Sequence, residues 1–199
     1  TIQKAVAGCN SVYEPKSSDN YKISIGNKKA PTIPSNETVR SYSFDDMGNA
    51  QRFVDLFGDN IRYCYTDKKW MYYDGRKWCI DNMGAVHRMA DKSVNAMKAE
   101  LKNYVKSDEE AGGDMEKEFR KHMKQSRSNR SKNAMLNEVQ HYVPILPAQL
   151  DRYKMALNTP DGVINLKTGE LKPHSYSHYF TKVTAVEYSN NADCPLWLK

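Results

Sequence analysis

The sequence contains no run of about twenty apolar residues, the length a membrane-spanning helix requires, and its N-terminal TIQKAVAGCN lacks the long apolar core of a secretory signal. Membrane insertion is therefore not expected, and a cytosolic protein is. Cysteine is scarce: the 4 residues Cys9, Cys64, Cys79 and Cys194 form no C-x-x-C pair, which argues against a zinc site and a redox motif. Reduced thiols are expected, and Cys64 and Cys79, inside aromatic strand-like runs, read as small buried hydrophobes. No G-x-x-x-x-G-K-[ST] is present, so the chain has no phosphate-cradling loop of its own. G-x-S-x-G, H-E-x-x-H and H-x-H are missing as well.

The remaining candidates for catalysis or metal binding are thin. His87 with Asp91, and His174 with His178, have one-turn spacing, but neither pair has further ligands nearby and His174 follows Pro173 in what reads as extended chain. Asp108, Glu109 and Glu110 beside Gly112-Gly113 resemble a magnesium cluster only on paper, because adjacent side chains on a helix fan outward. No metal site, no catalytic set and no cofactor in this chain are the expectations.

What the sequence does have is length, aromatic residues and positive charge. Its 199 residues allow one large domain, or one with an appended arm, and the net charge of +6 makes nucleic acid the expected partner. Residues 1–43 are poor in large apolar side chains and read as a linker or flexible arm, with only Tyr21 to Ile25 alternating like a strand. The missing initial methionine fits simple processing or an excised fragment, and the end at Lys199, inside an apolar run, makes a fragment the expectation.

From Phe44 onward the pattern is globular. Ala50, Phe53, Val54 and Phe57 recur at i, i+3, i+4 and i+7, one face of a helix over residues 48–57. Ile61, Tyr63 and Tyr65 alternate as a strand, and Trp70–Tyr73 and Lys77–Ile80 flank Asp74-Gly75-Arg76, which predicts a small antiparallel meander. After the Asp81-Asn82 cap signal, Val86, Ala90, Val94, Met97, Leu101 and Tyr104 mark a long amphipathic helix that Gly112-Gly113 breaks. A second helix carries the stripe Met115, Phe119 and Met123, and a third runs from about Ser131 to Val143, before Pro144. The expected fold class is α+β: a small antiparallel meander and a later hairpin around about three to five helices.

That hairpin is the most compact signal in the chain. In LNTPDGVINLKTGEL, residues 157–171, Asp161-Gly162 opens a strand, Lys167-Thr168-Gly169 turns, and Glu170-Leu171 returns until Pro173. The string, followed by Asp193-Cys194-Pro195-Leu196-Trp197, resembles the domain that precedes the superfamily-three helicase motor in phage and plasmid primase-helicases of the phage P-four and poxvirus D-five type. The likeness covers roughly residues 44–199, with Asp161 standing where the family usually carries Asn. It implies an accessory or collar domain that engages single-stranded or forked DNA for an adjacent ATPase motor, with ATP and magnesium belonging to that motor. It further implies self-association into a ring, a primase domain as a further partner, and a bacterial host cytoplasm. The alternative within the same replication protein is an oligomerisation or primase-docking module that does not touch DNA; a nuclease or primase fragment is a further alternative, and needs converged carboxylates.

The charge-bearing segment is RKHMKQSRSNRSK, where Arg120, Lys121, Lys124, Arg127, Arg130 and Lys132 occur without an acidic residue. Ser126, Ser128, Asn129 and Ser131 lie among them, and short polar side chains suit phosphate oxygens. Helical continuation puts Arg120, Lys124 and Arg127 along one side, so the segment reads as a phosphate-contacting helix end and turn. A solvated helical surface is the alternative. A secondary candidate is the meander, where Lys68, Lys69, Arg76 and Lys77 interleave with Trp70, Tyr72, Tyr73 and Trp78 as a single-strand stacking platform; the alternative is that these aromatics are core.

Overall fold

The computed structural model describes residues 42–111 and 114–189. Residues 1–41 of the expected 1–43 arm, with the strand-like Tyr21–Ile25, Gly112-Gly113, the side chains of Asp108, Glu109 and Glu110, and the closing Pro-Leu-Trp lie outside the described residues.

Among the described residues, four helices form one half of the α+β fold. Helix α1 (Asp46–Phe57) starts at Asp45, whose carboxylate accepts the Gly48 N–H at 2.7 Å. That bond, together with one from the Ser43 hydroxyl, holds the Asp45 carboxyl below its usual range. The contacts reach back past Phe44: the Ser43 carbonyl accepts from Arg52, and the Tyr42 hydroxyl donates to Asp55. Helix α2 (Ala85–Ala111) is capped as its sequence predicts, the Asp81 carboxylate accepting from the N–H groups of Ala85 and Val86 at 2.7 and 2.9 Å. Val86, Ala90, Val94 and Met97 face inward along it.

Helices α3 (Asp114–Ser126) and α4 (Asn129–Val139) follow. The expected stripe on α3 is corrected in one place, since Met115 is 44% exposed while His122 and Ser126 occupy the buried side with Phe119. Helix α4 ends four residues before the predicted Val143. The chain leaves it to pair with the meander instead: Tyr63 donates its N–H to the Val143 carbonyl at 2.8 Å and accepts from Ile145 at 3.0 Å. Two backbone bonds to a strand outcompete one more helical turn before Pro144.

The meander forms as expected from β1 (Ile61–Cys64), β2 (Lys69–Tyr73) and β3 (Trp78–Ile80), antiparallel in the order β1-β2-β3. The later hairpin is larger than its sequence shows. It is a second three-stranded antiparallel sheet, β4 (Ala156–Thr159), β5 (Gly162–Asn165) and β6 (Leu171–Lys172), with Asp161 in the β4–β5 turn. Asn158 ties the two sheets, its side-chain amide donating to the Arg76 and Lys182 carbonyls at 3.0 and 2.9 Å.

Gly162 owes its place to close approach: a Cβ there would stand 2.3 Å from the Lys172 carbonyl oxygen. Gly162→Ala is therefore expected to part β5 from β6 and cost roughly 1–3 kcal/mol, the range for overpacking. A thermal-unfolding midpoint equal to that of the parent would refute this.

The interior comprises three apolar clusters. One joins α1, α2, α4 and β1 through Ala50, Phe53, Ile61, Val86, Met135 and Val139. A second lies under the meander around Cys64, Met71, Trp78 and Ile145, and a third holds α2 to α3 through Val94, Met97 and Phe119.

Candidate nucleic-acid interface

Helix α3 presents a basic face because its apolar and cationic residues fall on opposite sides. With about 100° per residue, Lys117, Lys121 and Lys124 stack along one stripe, i, i+4 and i+7, away from Phe119, His122 and Ser126. All three lysines are exposed. Arg127 and Arg130 flank the turn into α4, where the Ser128 hydroxyl caps the helix by accepting the Ser131 N–H at 3.2 Å. Lys121, Lys124, Arg127 and Arg130 thus form one exposed basic surface over a helix end and a capped helix start.

Two of the six expected cations are already compensated. Arg120 pairs with Glu116 at 2.5 Å one turn back, and Lys132 pairs with Asp91 on α2 at 2.8 Å. The segment is free of acids only along the chain; in space, neighbouring turns and helices supply them. Lys132 is about 200° around α4 from Arg130, on the side that carries Met135, Leu136 and Val139, so it reaches across the helix interface instead of into solvent. Lys117 was missed because it sits between Glu116 and Glu118; its i, i+4 relation to Lys121 is the signal that places it on the same face.

A buried polar network backs this surface. Asn49 of α1 donates to the Ser126 hydroxyl at 2.9 Å, and its carbonyl oxygen accepts from His122 Nε2 at 3.0 Å and from Arg52 at 3.2 Å. Ser126 in turn donates to the His122 carbonyl at 2.9 Å, and Phe44 stacks on the His122 ring at 5.7 Å. These bonds hold the C-terminal turn of α3, the one carrying Lys124, against α1. Burial first, then the Arg52 cation, pushes the His122 pKa below its usual 6.5.

A depressed folded-state pKa means the unfolded chain takes up the proton first, so stability is full above about pH 6.5 and is lost as pH falls toward the folded value. Thermal-unfolding midpoints are expected to drop between pH 7.5 and 5.5, and to drop less in His122→Gln. The depressed Asp45 acts in a separate window, below 3.8. Equal pH dependence in parent and variant would refute the assignment to His122.

In the meander, the secondary candidate, the rings are buried to different degrees. Trp78 is 1% exposed and packed in the core, and Trp70 is half-buried, edge-on to Tyr63 at 4.9 Å and packed against the helical cluster. The Trp78 indole has no face open to solvent. Lys68, Lys69 and Arg76 are exposed and Lys77 half-buried, and Tyr72 and Tyr73 are half-buried beside them.

Among the described residues no group of three side chains is arranged to hold a metal ion. Asp91 is committed to Lys132, and His174 Nε2 donates to the Thr159 carbonyl at 2.8 Å. Cys79 is held as a thiol, its pKa pushed up to about 11 by burial and by Asp74. No described helix is long and apolar enough to cross a membrane.

A family model described as D5 N terminal like matches residues 50–199. The chain belongs to the D5 N-terminal-like family. This is the family of N-terminal domains of D5-type primase-helicases, so the chain is a domain of a replication protein of that kind. The matched range takes in the four described helices, α1 from its fifth residue on, and both described sheets, and it carries the α+β arrangement given above. No curated protein matches the chain.

Proposed function

We propose that this domain holds DNA for an adjacent superfamily-three ATPase motor, gripping the phosphate backbone with Lys121, Lys124, Arg127 and Arg130. The observation that carries this reading is the exposed group of four cations over the α3–α4 turn, with Arg120 and Lys132 set aside by their carboxylate partners. Cations on a rigid surface neutralise phosphates and release counterions, which yields affinity without base contacts. The Asn49–His122–Ser126 network fixes the helix end, so the cations are presented at low entropic cost. ATP and magnesium chemistry belongs to the motor, and ring assembly and primase contact to the full-length protein in the bacterial host cytoplasm.

The test is the variant Lys121→Ala/Lys124→Ala/Arg127→Ala/Arg130→Ala in fluorescence-anisotropy titrations against forked DNA. Four phosphate contacts predict a slope of log K on log salt of about −3.6 on duplex and about −2.8 on a single strand. The variant is expected to lose at least tenfold in affinity near 150 mM salt and most of that slope. Unchanged affinity and slope would overturn the reading in favour of a docking module, which sedimentation would then reveal as self-association.

A further inference from the structure

The second sheet forms one wall of a basic groove that the α3–α4 surface does not explain. The groove encloses about 700 Å³ between the chain leading into β4, the β5–β6 turn and the segment around His178. Arg152, Lys154, Lys167 and Lys172 line it, all exposed, with Tyr153 and His178, and no Asp or Glu is among its lining residues. The nearest acids are mostly engaged elsewhere. Asp151 accepts the Thr181 N–H at 2.8 Å and its hydroxyl, Asp161 accepts from the Tyr188 N–H, and among the described residues only Glu170 pairs with a groove cation, Lys172, at 3.4 Å in an exposed pair.

Two aromatic groups accompany the charge. Tyr153 is 40% exposed, with the Arg152 guanidinium 5.2 Å over its ring and the His178 ring edge-on at 5.8 Å. Burial first, then His174 and Lys172, keeps His178 below its ordinary pKa, so at neutral pH it is an uncharged ring. Bases stack on aromatic rings and on guanidinium planes alike, while phosphates seek ammonium groups.

We infer that this groove binds a single strand of nucleic acid, its phosphates against Lys154, Lys167 and Lys172 and a base on the Arg152–Tyr153 pair. A concave site suits a flexible strand with splayed bases, whereas a rigid duplex meets only the rim. The inference deepens the DNA-holding reading by giving the single strand its own surface, built from elements other than α3 and α4.

The experiment titrates the full 199-residue chain against fluorescein-labelled oligothymidylate and against a blunt duplex. Lys154→Glu/Lys167→Glu is expected to weaken oligothymidylate at least tenfold and to reduce its salt slope by about 1.4, two single-strand contacts' worth, with duplex binding nearly intact. Tyr153→Leu is expected to lose about fivefold or more without moving the slope. Parental affinity in both variants overturns the groove; if the four-alanine α3–α4 variant has then lost binding, the earlier reading survives. Loss in the groove variants with the four-alanine variant unaffected upholds the groove and sinks the α3–α4 assignment. No binding by the parent to either DNA overturns both. Should the glutamate variant fail to fold, photocrosslinking of iododeoxyuridine oligomers to the parent decides: adducts at Tyr153 or His178 support the groove, and adducts confined to other elements overturn it.

Discussion

Glu100→Ala is expected to destabilise the domain by about 3–5 kcal/mol, the cost of leaving a buried charge without its partner. Arg52 is 3% exposed, and its Nε lies 3.1 and 2.9 Å from the two carboxylate oxygens of Glu100. The guanidinium also donates to the Ser43 and Asn49 carbonyl oxygens and rests 4.8 Å over the Tyr42 ring. It is therefore held among α1, α2 and the preceding chain, without a route to solvent when its counter-ion is removed. Burial raises the Glu100 pKa despite the attraction of Arg52, so desolvation outweighs the pair's Coulomb gain at this carboxyl. The intact pair accordingly contributes little net stability, while half of it is costly. Arg52→Met/Glu100→Leu, which removes both charges at similar volume, is expected to recover most of the loss. Urea-unfolding midpoints of the two variants against the parent check this, and a Glu100→Ala midpoint within error of the parent would refute it.

The sign of the Glu100 shift has its own consequence. With the folded-state pKa above the ordinary 4.5, the folded chain binds the proton more tightly, so this group's contribution falls as pH rises from about 4.5 through the folded value. It opposes His122, whose contribution grows with pH up to about 6.5. Arg52→Met/Glu100→Leu removes this contribution and also the cation that helps depress His122, so its two effects on acid sensitivity oppose each other.

The elements that sequence revealed are those governed by local chemistry. The Asp81 cap, the Asp74-Gly75 turn and the Asp161-Gly162 turn each act over a few residues, and Gly75 does take the positive φ of 105° that such a turn requires. Strand β4 was hidden because Asn158 and Thr159 are polar yet buried, the Asn158 amide donating to the Arg76 and Lys182 carbonyls and the Thr159 hydroxyl to the Gly162 carbonyl. The polar network was hidden for the same reason. Asn49 and His122 are 73 residues apart, and nothing in the spacing of either announces the other. A weaker signal was present: Glu100 follows Met97 by three residues on the apolar side of α2, and Arg52 adjoins Phe53 on α1, so two opposite charges flank facing core positions. The basic surface was partly legible for a related reason. A run of cations is readable, which picked out Lys121 and Lys124, but the helix ends at Ser126, before Arg127 of the expected Arg120, Lys124 and Arg127 side, and the pairing of Lys132 with Asp91 across 41 residues is a tertiary fact.

Trp78→Ala is expected to cost about 3–5 kcal/mol, the range for truncating a buried aromatic residue. The indole lies against Cys64, Met71 and Ile145, with the Tyr73 and Tyr179 rings at 5.7 and 5.6 Å and the Arg62 guanidinium 5.1 Å over it. Its Nε1–H donates to the Tyr176 carbonyl at 2.8 Å, while its backbone N–H donates to the Phe180 carbonyl at 2.7 Å. One residue therefore fastens the meander to the segment that carries His178 into the basic groove. Trp78→Phe keeps most of the ring but strands the Tyr176 carbonyl, and is expected to cost about 1–3 kcal/mol. A base-stacking role would give a different pattern, since phenylalanine still offers a π-face and stability would barely change. Fluorescence separates the two cases: in a Trp70→Phe/Trp197→Phe background, Trp78 emission is expected to be blue-shifted, poorly quenched by acrylamide and unmoved by saturating oligothymidylate. Strong quenching on DNA addition would instead place Trp78 at the nucleic acid and overturn its assignment to the core.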